Sequence, residues 1–112
     1  MHVADTLLKK SFEDTILLAK NDKLGDDSWI PRDVNFLFFA EDMIKAESLA
    51  CFIQDNQYAN TRIEETDGDF LVIATVVMPT TQNIVCSVSA LMTCISGFFS
   101  VQYDGWNCIL QK

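Results

Sequence analysis

Four carboxylates, Glu64, Glu65, Asp67 and Asp69, fall within six residues around Thr66-Asp67-Gly68. Glycine tolerates the positive φ of a tight turn, so this stretch predicts a hairpin whose tip concentrates negative charge. Such a tip blunts an edge strand against further pairing. It also suits docking of an Arg- and Lys-rich protein segment, because charge complementarity raises the association rate and selects the partner. A second group is Val101-Gln102-Tyr103-Asp104-Gly105-Trp106. In an unbroken strand Tyr103 and Trp106 would fall on opposite faces. A one-residue bulge at Asp104-Gly105, with glycine in the left-handed position, puts Val101, Tyr103, Trp106, Cys108 and Leu110 on one face. Two uses stay open for the aromatic pair: filling the core, or standing exposed as partner anchors. Asp104 is either a turn acceptor or a contact to a basic partner.

Groups for catalysis are few. General acid–base work most often falls to histidine, and the only one, His2, sits at the terminus. Asp67-Gly68-Asp69 resembles the start of a calcium loop, but Met78 stands where the twelfth-position Glu is needed. No phosphate-cradling loop is available among Gly25, Gly68, Gly97 and Gly105. The Phe39-Ala40-Glu41-Asp42 stretch after the first predicted strand offers acids, which repel phosphate. Cys86 and Cys94 lack the neighbouring base or cation that would form a thiolate. Cys51, Cys86, Cys94 and Cys108 include no CxxC pair, so no zinc site is expected. The expectation is a non-catalytic protein with no metal and no cofactor.

Composition points the same way. The chain has 112 residues, 49% of them hydrophobic, and a net charge of −8. That is enough for one core and one domain over residues 1–112, and it excludes a disordered tail. The acidity argues against direct nucleic-acid binding, since Lys9-Lys10 is the densest basic pair. Reduced cysteines used as small hydrophobes fit a cytoplasmic location. The N-terminus lacks signal-peptide character, and the apolar runs Phe36–Ala40 and Phe70–Met78 are too short to span a membrane.

The elements that must position these groups follow from periodicity. Residues 4–21 predict a leading helix with Leu8, Phe12, Thr15 and Ala19 as its apolar stripe, widened by Leu7 and Ile16. A turn-rich connector from Lys23 to Ser28 and Pro31 lead into a strand at Asp33–Phe39. Glu41 to Asp55 predicts a helix burying Met43, Ala46, Ala50 and Ile53. Asn60–Glu65 is a polar edge strand, and Phe70–Met78 is apolar on both sides and hence central. After Pro79, Thr80 or Thr81 caps a third helix carrying Ile84, Val88, Leu91, Ile95 and Phe98. Val101–Leu110 is the last strand. Right-handed crossovers place this order in an α+β fold, a ferredoxin-like βαββαβ sandwich over residues 30–110 with an extra N-terminal helix.

Residues 70–103 contain no Asp, Glu, Lys or Arg. Within this stretch the third helix lines up Ser89, Thr93 and Gly97 beside Cys86, Ala90 and Ser96, small residues that let another backbone approach closely. Leu37, Phe39, Ile73 and Val77 are expected to point away from the two packed helices, and apolar surface of that kind needs a cover. The leading helix is one cover; a homodimer or partner is the other.

The string Val101-Gln102-Tyr103-Asp104-Gly105-Trp106 resembles the terminal "V-E-Y-D-G-W-G" motif of the RraB-type regulators of ribonuclease E activity. Glu64-Glu65-Thr66-Asp67-Gly68-Asp69 resembles that family's acidic "E-x-x-D-G-D" hairpin, and the element order from Asp33 onward also matches. Asn107 stands where a Gly commonly follows the Trp, and the sequence ends at Lys112 without the acidic tail of better-known members. The resemblance implies a ferredoxin-like, non-catalytic modulator of RNA decay in a bacterial cytoplasm, binding ribonuclease E and not RNA.

Overall fold

The aromatic-rich stretch Arg32–Ala40 forms a strand, β1, and its burial alternates, with Val34, Phe36, Phe38 and Ala40 inside. In the computed structural model, which describes residues 3–109, β1 follows a helix α1 (Val3–Lys23). It precedes α2 (Met43–Asp55), β2 (Asn60–Thr66), β3 (Asp69–Met78), α3 (Gln82–Phe99) and β4 (Gln102–Cys108). His2 and Leu110, with the readings placed on them, lie outside the described residues. The architecture is mixed α+β, with one antiparallel sheet of four strands in the order β2-β3-β1-β4. β3 is central and β2 is an edge, as their polarity predicts.

The core lies between the sheet and the helices. Val34, Phe36 and Phe38 meet Val72 and Ala74 of β3, Ala46, Leu49 and Ile53 of α2, and Val85, Met92 and Ile95 of α3. α2 starts where Asp42 accepts a hydrogen bond from the Lys45 amide at 2.8 Å. Its buried set includes Leu49, whereas Met43, expected inside, lies in the exposed first turn. The turn between β2 and β3 has positive φ at Asp67 and Gly68, the backbone that the predicted hairpin requires. Buried Arg32 organises the loop after α1, pairing with Asp26 and donating to the Asp27 and Ile30 carbonyls.

Three expectations about the helices are corrected. Thr81 occupies the N-cap of α3, but its hydroxyl makes no capping bond. α3 buries Val85, Ser89, Met92, Thr93, Ile95 and Ser96, leaving Leu91 and Phe98 exposed, because its small uncharged side is packed by α1. By length and composition α3 could cross a membrane, a candidate that the two short apolar runs did not indicate; here it packs between α1 and the sheet. α1 is turned about its axis from the expected orientation. Asp14 and Asn21 are buried and Leu17 and Leu18 partly so, while Leu8 and Phe12 are 71% and 68% exposed and Ile16 also faces out. Asp14 faces inward with Leu17 and Leu18 because it has a hydrogen-bond partner there, the Trp106 indole.

Candidate protein-docking surface

The bulge in β4 falls where the sequence places it. The β1–β4 register jumps between Phe36, opposite Trp106, and Phe38, opposite Tyr103, so Asp104 and Gly105 together face Leu37. Gly105 has φ +93°, the left-handed value that favours glycine. Both aromatic rings therefore turn toward the helices, Tyr103 at 5% and Trp106 at 6% exposure. The alternative use of Tyr103 and Trp106 as exposed partner anchors is corrected: both are interior residues, because the bulge restores their common inward phase.

Around them α1, α3 and β4 are joined by polar contacts. The Trp106 indole donates to Asp14 Oδ1 at 2.9 Å, and the Tyr103 hydroxyl lies 2.9 Å from Ser89 Oγ. Lys10 sits over the Tyr103 ring, 5.3 Å from its centroid. Burial pushes the Asp14 carboxyl above the ordinary aspartate range, against the opposing pull of Ser89, Trp106 and Lys10. Burial also raises the Tyr103 hydroxyl and the Cys86 and Cys108 thiols. A raised thiol is the reverse of what a nucleophile needs. Cys51 and Cys94 are exposed, so the reading of all four cysteines as small hydrophobes holds only for the half-buried Cys86 and Cys108. Among the described residues no group of three His, Cys, Asp or Glu side chains is placed to hold a metal ion.

The opposite face of the sheet carries no helix. Leu37, Phe39, Ile73 and Val77 lie on it, as expected. Phe39 is opposite Leu71, and Leu71 is opposite Glu64; Leu37 is opposite Ile73, and Ile73 is opposite Arg62. A polar row closes one end: Thr75 Oγ1 donates to Asn35 Oδ1 at 2.7 Å, and Asn35 Nδ2 donates to Asn107 Oδ1 at 3.0 Å. Beyond it Asp33 faces Val77 across the β1–β3 pair, and Val77 is 69% exposed. α1 covers the other of the two surfaces expected to need a cover, the small uncharged side of α3.

Strand alternation divides the predicted acidic cluster. Glu64 and Asp69 project from the helix-free face, in phase with Leu71. Glu65, opposite Phe70, has the other phase, and Asp67 forms the turn. Asp104 is exposed at the bulge beside Leu37. The fold thus brings Glu64, Asp69 and Asp104 around one apolar stripe and separates Glu65 from them. Asp33 and Leu71 join the same surface; period-two alternation could have placed both, had the acidic residues been sorted by face and not by proximity in sequence.

No curated protein matches the chain. The family model for RraB, regulator of ribonuclease activity B, matches residues 12–108, from the middle of α1 to the last residue of β4. With its motif strand, hairpin and buried aromatic pair all inside that span, the chain belongs to the RraB family.

Proposed function

We propose that this protein is a non-catalytic regulator that binds a ribonuclease in the cytoplasm, with ribonuclease E as its partner and without contacting RNA itself. The observation that carries the reading is the family match across residues 12–108. The order β-α-β-β-α-β after α1 and the sheet order β2-β3-β1-β4 support a single ferredoxin-like domain as the scaffold. An excess of sixteen carboxylates over eight Lys and Arg favours a basic protein surface over a phosphate backbone as the target. No cofactor enters this reading.

Calorimetric titration of the protein into full-length ribonuclease E from the same source tests it, at about 0.15 M salt, where exposed charges are realistically screened. Saturable binding at micromolar affinity or tighter is expected. Absence of heat together with absence of co-sedimentation overturns ribonuclease E as the partner. A second reading, a dimeric ferredoxin-like domain with an unrelated partner or small-molecule role, draws on the exposed Leu8, Phe12 and Ile16 ridge of α1. Gel filtration with light scattering separates it from a monomer.

A further inference from the structure

The geometry points to the helix-free sheet face as the docking surface, and to an amphipathic helix with an apolar stripe flanked by Lys or Arg as its occupant. The identification of that helix with a segment of the ribonuclease rests on the reading above; the surface itself does not. The exposed side of a two-layer fold normally alternates to polar residues. Here the two central strands instead carry Leu37, Phe39 and Leu71, all partly exposed, around Ile73, which they leave only 5% exposed, with the exposed Val77 beyond. Neighbouring strands lie about 4.8 Å apart, so this stripe matches one helix about 10 Å wide and is too narrow for a second sheet.

Charge selects among occupants. Asp33, Glu64, Asp69 and Asp104 surround the stripe, and Arg62 is the one basic residue on that face among the described residues, 3.6 Å from Glu64. The lysines at positions 9, 10, 20 and 23 are on α1, which packs on α3 on the other side of the sheet. A second copy docked face to face would set the same acids against one another, since a two-fold interface repeats one patch. An anionic lipid surface is repelled in the same way. A partner carrying Lys or Arg beside its apolar residues satisfies both features.

Two arms test this. In the first, an 18-residue helical peptide of leucine on one side and lysine on the other is titrated into the protein, and amide shifts are mapped by NMR. Shifts concentrated on residues 35–39 and 71–77 are expected; shifts confined to α1 and α3, or none, overturn the surface. In the second, Glu64→Lys with Asp69→Lys is compared with Glu65→Lys with Asp55→Lys, which changes charge equally on the helix side. Affinity for full-length ribonuclease E should fall at least about tenfold for the first pair and less than about twofold for the second. Equal losses overturn the surface while leaving the regulator reading intact. Peptide shifts on the sheet with no binding of the ribonuclease by wild type support the surface and overturn its assigned partner.

Discussion

Asp14 shows what a single carboxylate does when a helix places it against a buried indole. At 4% exposure it accepts from Trp106 Nε1, so truncation to alanine leaves that N–H buried and unpaired. Asp14→Ala should therefore destabilise the protein by about 1–3 kcal/mol, measured by urea unfolding. Asp14→Asn keeps an acceptor oxygen and removes the titration. The folded-state pKa is raised by burial, so the fold favours the protonated acid. That contribution is fully present below the ordinary aspartate value and is lost as pH rises through the raised one. The asparagine variant should accordingly gain stability relative to wild type as pH increases across this window, and parallel pH profiles would show that Asp14 is not held above its ordinary value. The common face of Tyr103 and Trp106 was legible because one glycine and a broken alternation leave few ways to arrange them, but which way that face turned was not. Asp14 was not legible either, since one acid of the Glu13-Asp14 pair on a helix carries no mark of the indole that meets it.

Glycine 105 and α1 separate what local pattern decides from what packing decides. At Gly105 the backbone has φ +93° and an added Cβ meets nothing within 4 Å, so any cost of Gly105→Ala is conformational. About 1–2 kcal/mol of destabilisation is expected, with Trp106 fluorescence following the unfolding. Gly97 also has open space at its Cβ but lies in helical backbone near the end of α3. Gly97→Ala should raise stability by up to about 1 kcal/mol in the same denaturation experiment. The strands, the hairpin and the bulge could all be read from alternation and turn chemistry. The orientation of α1 could not, because apolar residues at Leu7, Leu8, Phe12, Ile16, Leu17 and Leu18 spread around much of the helix. Which side turns inward is set by the small face of α3, by Ser89 and by the Asp14–Trp106 contact, all of them tertiary.

Across the whole molecule the four lysines of α1 are balanced by Asp5, Glu13, Asp14 and Asp22, while among the described residues the helix-free face of the sheet carries four acids and one arginine around an apolar stripe. The sequence showed the net charge of −8 and the acidic hairpin, but proximity along the chain grouped Glu65 with Glu64 although the pleat points them to opposite faces. Only the register brings Asp33 and Asp104, distant in sequence, to the surface that Glu64 and Asp69 share. An acidic rim of this kind acts before contact, steering a basic partner toward the sheet face. The association rate with ribonuclease E, followed by stopped flow, should then fall by about tenfold or more between about 0.05 and 0.5 M salt. The dissociation rate should change much less, because it is governed by the desolvated apolar stripe and not by the exposed rim. An association rate indifferent to salt would remove the acidic rim from the encounter and leave the apolar stripe as the sole basis for docking.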